Sequence, residues 1–281
     1  MSASNGHVPE EMLAYYAAGG EAGRLLGGAG QLELLRTRKI LLRYLPPAPA
    51  EVLDVGGGAG VYALWLARQG YDVHLVDVVP LHVEQARRAS AEQPDFPLAG
   101  ASVGDARTLD RPASSVDAVL LLGPLYHLTE RGHRVAALRE GRRVLRAGGV
   151  LFAVGITRFA SLLDGLVSGY LQDPAFEQIV ERDLAEGQHR NPENRPAYFT
   201  TAYFHRPEEL AAEVQEAGLH PEATLGIEGP GWLLQNLSSW WKDDRRREAL
   251  LRAVRLVEAE PSLICASAHL MVVARKRSNG K

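Results

Sequence analysis

Apolar positions change rhythm along this chain. Between residues 11 and 45 their spacing is helical. Leu32, Leu35, Ile40, Leu41 and Leu42 give a broad apolar face, and Pro46-Pro47 ends it. Short, nearly continuous apolar runs then alternate with helical spacing. Val52 to Val55, Val73 to Val76, a weaker run around Leu98 to Val103, Val116 to Leu122 and Val150 to Ile156 read as strands. Val61 to Gln69 (closed by Gly70), Leu81 to Ala91 (opened by Pro80) and His133 to Leu145 read as the helices between them. Strands that are apolar on both faces belong to a sheet covered on both sides, so this stretch predicts a doubly wound α/β fold with a parallel sheet.

After residue 156 the alternation stops. Residues 157–205 read as helix and loop, rich in aromatic side chains. Pro207 to Ala217 reads as a helix ending at Gly218, and Glu222 to Ile227 as a strand. Residues 232–260 read as mostly helical, and Ala268 to Arg275 as a last strand before a basic tail. The predicted organisation is a helical cap over 1–50, a sheet core over 51–156 and a helical lid insertion over 157–205. The rest of the sheet falls in 206–281, with a helical insertion at about 231–260.

Composition narrows the classes. The 281 residues are 46% apolar and 23% charged, ordinary for a globular protein, so wholesale disorder and fibrous folds are excluded. The longest apolar runs fall short of the ~18 residues a membrane span needs. The polar start, Met1 to Glu11, does not read as a signal peptide. A lone cysteine, Cys265, cannot form an internal disulfide, and its apolar neighbours suggest a buried small residue. These points favour a cytoplasmic protein without membrane association. A net charge of -3 argues against a nucleic-acid partner. Arg245 to Arg247 follow Asp243 and Asp244 and read as the start of a solvated helix. Nine histidines with no i, i+4 pair or HExxH spacing, beside one cysteine, point to no metal site. No G-x-S-x-G motif marks a hydrolase.

The chemistry concentrates in Glu51-Val-Leu-Asp-Val-Gly-Gly-Gly-Ala-Gly60, where a strand runs through a glycine turn into a helix. Such a turn lets a nucleotide-like ligand approach the backbone. As a dinucleotide loop, G-x-G-x-x-G, it is incomplete: Gly56 and Gly58 fit, but Val61 stands at the third position. The pattern acid-x-Gly-x-Gly-x-Gly fits throughout, with Asp54, Gly56, Gly58 and Gly60. A carboxylate there suits a ligand carrying ammonium and sulfonium charges and repels a pyrophosphate.

Further features stand in order: Leu75-Val-Asp77, Gly104-Asp-Ala106, Val116-Asp-Ala-Val-Leu-Leu-Leu-Gly-Pro-Leu-Tyr-His127 and Leu145-Arg-Ala-Gly-Gly-Val-Leu-Phe152. Together with the glycine loop they resemble the class I S-adenosylmethionine (SAM)-dependent methyltransferases. Tyr198-Phe-Thr-Thr-Ala-Tyr-Phe-His205, followed by Pro-Glu-Glu-Leu, is similar to bacterial small-molecule members of the ubiquinone- and menaquinone-biosynthesis type. The resemblance implies a Rossmann-like, mostly parallel seven-stranded sheet with an antiparallel last strand and helical caps. It implies SAM as cofactor and a small-molecule methyl acceptor, taken by a monomer or homodimer. It carries cofactor binding onto Asp54, Gly56, Gly58 and Gly60, onto Asp77 (ribose hydroxyls) with Val78, onto Asp105 (adenine amino group) with Ala106, and onto Leu122. Tyr16 and Arg36 in the N-terminal cap are further candidates, Arg36 for the SAM carboxylate. Two alternatives are a nicotinamide-dependent oxidoreductase and a SAM-binding regulator without transfer activity.

The acceptor should lie beyond the carboxyl ends of the strands. The loop after the fourth strand places Tyr126 and His127 there, and His127 is a candidate to take a proton near neutral pH. His205 is the next catalytic candidate, while Tyr198, Tyr203, Trp232, Trp240 and Trp241 are either pocket walls or packing.

Overall fold

A computed structural model describes residues 10–17 and 21–277. The start of the polar N-terminal segment and the end of the basic tail lie outside the described residues. The chain opens with α1 (Glu10–Ala17), α2 (Glu21–Arg24) and α3 (Gly28–Tyr44). It then alternates through β1 (Glu51–Val55), α4 (Val61–Ala67), β2 (Asp72–Asp77), α5 (Pro80–Ala91), β3 (Gly100–Val103) and β4 (Val116–Leu121). The short α6 (Pro124–His127) precedes α7 (Arg131–Val144) and the long β5 (Leu145–Thr157).

These strands pair in parallel in the order β3-β2-β1-β4-β5. The chain continues through α8 (Ala160–Ser168), α9 (Pro174–Glu186), β6 (Gln188–His189), β7 (Ala202–His205), α10 (Pro207–Glu216) and β8 (His220–Gly226). α11 (Leu237–Lys242), α12 (Asp244–Val257), α13 (Pro261–Ile264) and β9 (His269–Arg275) complete it. β9 runs antiparallel between β5 and β8. The principal sheet is therefore 3-2-1-4-5-9-8: seven strands, mostly parallel, with the last one reversed, as expected.

Alternation along β5 explains why its sequence is apolar throughout. Phe152, Val154 and Ile156 enter the core on one face, Leu151 and Ala153 the core on the other. β9 divides likewise, with Met271 and Val273 on one side and Leu270, Val272 and Ala274 on the other. All five are fully buried.

Two boundaries differ from the pattern reading. β5 begins at Leu145, because Val116 pairs with Leu145 and the register then slips before Ala118 meets Val150. The segment expected to be helix and loop up to 205 ends in a strand. β7 takes up the edge of β5 at Ile156 and Thr157, past the point where β4 stops, and β6 pairs with it antiparallel. Tyr203 and Phe204 suit such a pleated position.

Buried charge ties the C-terminal half to the core. Arg134 on α7 donates to the Glu213 carboxylate of α10 at 2.7–3.1 Å and to the Leu128 and Thr129 carbonyls at 3.0 and 2.9 Å. The Tyr203 ring covers its guanidinium at 3.7 Å. Removing one partner of such a pair strands the other charge away from water. Arg134→Ala is expected to lower stability by about 3–5 kcal/mol, measured by chemical denaturation. A loss under about 1 kcal/mol, the size of an exposed pair, would show that Glu213 finds water instead.

Candidate active site

The glycine loop follows β1 and is pinned to β2. The Gly56 amide donates to the Val76 carbonyl at 2.7 Å. Gly56 has φ +68°, and a Cβ there would strike the Pro124 ring at 2.5 Å. Gly58, at φ +57°, faces open space, where an added Cβ would meet nothing within 4 Å. Asp77, at the end of β2, joins the two pieces: one carboxylate oxygen accepts the Gly58 amide and the other the Val79 amide, each at 2.8 Å. His82 Nδ1 lies 3.2 Å from the same carboxylate.

These groups line a cavity of about 290 Å³. Asp105 stands on its wall and accepts from the Arg107 amide and guanidinium at 2.8 and 2.9 Å. Burial would raise the Asp105 carboxyl, but Arg107 outweighs burial and holds it below the ordinary carboxylate range. Facing the loop are Tyr16 of α1, Arg24 of α2, Glu33 of α3, and Tyr126 and His127 of α6. The Tyr16 hydroxyl donates to His127 Nε2 at 2.5 Å. Arg24 grips Glu33 through two bonds of 2.5 and 3.0 Å.

A second compartment of about 200 Å³ adjoins the first, and Tyr16, Arg24 and Tyr126 line both. Its other walls are aromatic, among them Phe176, Tyr198, Phe199, Phe204 and Trp232.

A methyltransferase-domain profile matches residues 52–149. The chain is 31% identical over 191 residues to the ubiquinone biosynthesis O-methyltransferase of Xanthomonas axonopodis pv. citri, covering 67% of this chain and 70% of that protein. It belongs to the class I SAM-dependent methyltransferases. The fold is similar to that of a SAM-dependent methyltransferase from Methanosarcina mazei, with TM-score 0.58, 20% identity and coverage of 85% of this chain and 97% of that one. It is also similar to one from Mesorhizobium loti, with TM-score 0.59, 16% identity and coverage of 87% and 99%. SAM is the methyl donor of this family, which sets the nicotinamide alternative aside.

The first cavity of this methyltransferase suits such a donor on its own chemistry. Asp54 is buried beneath the loop, with one carboxylate oxygen lacking a hydrogen-bond partner. That is a place for a cationic ligand. The structure brings Asp54, Gly56, Gly58, Asp77, Val78, Asp105, Ala106, Leu122, Tyr16, Tyr126 and His127 onto this one cavity. Gly60 lies behind it, at φ +90° where α4 begins.

Two sequence-derived site residues stand elsewhere. Arg36 is buried against the Glu258 carboxylate and donates to the Ile227 carbonyl at 3.0 Å, so its guanidinium does not meet the cavity. The arginines that do are Arg24 and Arg107. His205 is fully buried beside Glu213, Arg134 and Tyr203 and lines neither compartment, so the catalytic expectation for it is withdrawn.

His127 is present but differs from expectation in its chemistry: burial pushes its imidazole down to about 4. It is therefore neutral at neutral pH and does not take up a proton there. Tyr203 packs on Arg134, whereas Tyr198 and Trp232 line the second compartment. Trp240 and Trp241 pack on the cluster around Leu32 and Leu250. Cys265 is half-buried rather than fully enclosed.

The pattern reading missed Glu33, Glu228 and His269. The last two flank strand ends, and a polar residue at the mouth of an apolar strand was the available signal. Their donor atoms lie within 4.8 Å of one another, but Arg24 and Ser267 already engage the two carboxylates.

Burial, followed by the nearby Asp77, raises the Asp54 carboxyl to about 7 from an ordinary 3.8. At about 1.4 kcal/mol per pKa unit, this corresponds to roughly 4 kcal/mol. The folded state binds the proton more tightly than the unfolded chain, so stability falls as pH rises from about 4 to 7. Asp54→Asn should remove that loss. In ligand-free protein, the difference in melting temperature in favour of Asp54→Asn should grow between pH 5 and pH 8. A pH-independent difference would show that Asp54 ionises normally.

Proposed function

We propose that this methyltransferase moves the SAM methyl group to a small molecule by direct displacement. The observation that carries this reading is the second compartment. It shares Tyr16, Arg24 and Tyr126 with the first cavity, and its about 200 Å³ suits a small molecule rather than a folded partner. When bound, SAM supplies an electrophilic methyl group that leaves a neutral thioether behind. The protein's task is then to align the acceptor and keep water out.

In this reading Asp77 takes the ribose hydroxyls, Asp105 the adenine amino group, and Asp54 faces the ligand's positive charge. Val78, Ala106 and Leu122 supply apolar contact. Tyr126 and His127 position the acceptor at the junction of the compartments. The N-terminal cap and the insertion after β5 act together as a lid. Their contact supports this: Tyr15 meets Phe199 edge to face at 5.6 Å, and Thr201 donates to Glu11 at 2.5 Å.

Two variants test the assignment. Asp77→Ala should weaken both SAM and its demethylated product by at least about tenfold, given about 1.5–3 kcal/mol for each hydrogen bond to a charged group. Titration calorimetry measures it, and unchanged affinity in folded protein would remove Asp77 from the donor site. Measurable methyl transfer by the wild type is what separates the enzyme from an inactive binder.

His127→Ala should lower turnover far more than donor affinity, because misplacement alone can cost about 10²-fold. With the imidazole held down to about 4, His127 should contribute no limb to a pH–rate profile between about pH 6 and 8. A His127-dependent limb in that window would show a far more solvated ring than this geometry allows.

A further inference from the structure

At the boundary between the compartments a second histidine has the opposite environment. β9 is antiparallel, so its first residue, His269, sits at the edge of the sheet where the parallel strands end, opposite Ile156. Its ring lines the second compartment, 6.5 Å from that of Tyr126. Glu228, just past the end of β8, is buried behind it. One oxygen of Glu228 accepts from His269 Nδ1 at 2.6 Å. The other accepts the Ser267 hydroxyl at 2.7 Å and the His269 amide at 3.0 Å. With Nδ1 committed to a carboxylate, Nε2 is the ring nitrogen left with a lone pair for the compartment. His127 differs on this point, since its Nε2 is already occupied by Tyr16.

We propose that His269, held by Glu228, is the general base of this enzyme, and that the acceptor is a hydroxyl group on a planar ring seated between the aromatic walls. The proposal rests on the methyltransferase reading above and names the acceptor chemistry for it. Flat aromatic walls favour a planar ring. A buried histidine–carboxylate pair serves an acceptor that still carries its proton, and a thiolate or free amine would not need it.

In the step itself, the acceptor hydroxyl gives its proton to Nε2 of His269 while its oxygen lone pair forms the new C–O bond. The C–S bond of SAM breaks, and its electron pair stays on sulfur. The products are a methyl ether, a neutral thioether and an imidazolium, whose proton passes to solvent. SAM is consumed as a substrate, so charge and atoms balance.

The groups facing the ring are Glu33 of α3, Arg24 of α2, Glu228, and Tyr126 of α6, with Asp164 of α8 and His189 of β6 across the compartment. Burial alone would lower the ring. Glu33 and Glu228 outweigh burial and the opposing Arg24, and hold it above the ordinary histidine value. A stronger base is better matched to a phenolic hydroxyl.

The experiment uses the full-length enzyme, a panel of phenols and catechols, and two variants. His269→Ala removes the ring. His269→Gln keeps a donor for Glu228, so it should fold even where His269→Ala does not. Wild-type kcat/KM on a phenol should rise with pH through a limb above 6.5. Both folded variants should lose that limb and about 10²–10⁴-fold in turnover, while binding the demethylated product within about twofold of wild type.

A readout that does not depend on turnover is the visible spectrum of 4-nitrocatechol added with the demethylated product. Wild type should bind it with a proton-transfer shift that His269→Gln lacks. If the variants keep the limb and the rate, His269 is structural and the proposal falls, although the methyltransferase reading stands. If the wild type binds the demethylated product but neither binds nor methylates any phenol, the proposed acceptor class is wrong. If the wild type binds neither SAM nor its product, it is the methyltransferase reading that fails.

Discussion

One carboxylate sets the geometry on which the donor cavity depends. Asp77 takes the amide of Gly58 with one oxygen and the amide of Val79 with the other. The first bond stops a loop of left-handed glycines from wandering, and the second shapes the turn into α5. Without it the chain after β1 has few restraints of its own, because glycines lose much entropy on ordering. The same carboxylate lies close enough to Asp54 to help keep it protonated. A cation entering the cavity would favour the ionised form of Asp54, so uptake of a positively charged ligand would draw a proton off this carboxyl.

The two histidines at the junction show how position overrides residue type. His127 is enclosed among Tyr16, Tyr126 and Phe199 with no carboxylate bonded to it, so desolvation decides and the ring stays neutral. His269 is equally enclosed, but Glu228 and Glu33 approach it, so charge decides. Their rings share Tyr126 as a neighbour, at 4.7 and 6.5 Å. Two histidines a few ångströms apart are thus pushed in opposite directions, one toward the neutral ring and one toward the charged ring.

The donor side was legible in the sequence because it is local. Asp54, the glycines, Asp77 and Asp105 follow one another at strand ends, and parallel alternation sends strand ends to one edge. Arg36 misled because α3 carries three arginines, Arg36, Arg38 and Arg43, and residue type alone gives no sign of facing; Glu33 turns toward the cavity while Arg36 turns toward Glu258. His205 misled for a related reason: strand β7 buries it against Glu213, a residue one helix later. His269 went unread because one polar residue at the start of an apolar strand does not announce its partner: the pairing of β8 with β9 brings Glu228 to it from 41 residues away. The aromatic walls come from segments with no common periodicity, and only folding brings them together.

That contrast has a consequence for how the molecule assembles and how it can change. The donor cradle closes over contacts between nearby stretches of chain. The second compartment waits for Tyr16, Tyr126, Phe199, Trp232 and His269, whose mutual separations span most of the polypeptide. Contacts that distant are entropically late to form. Fraying of β9 would take His269 out of that wall while leaving β1 to β4 paired. Substitutions at Phe199, Trp232 and His269, which line the second compartment and not the first, can therefore reshape that wall while the first cavity keeps its lining.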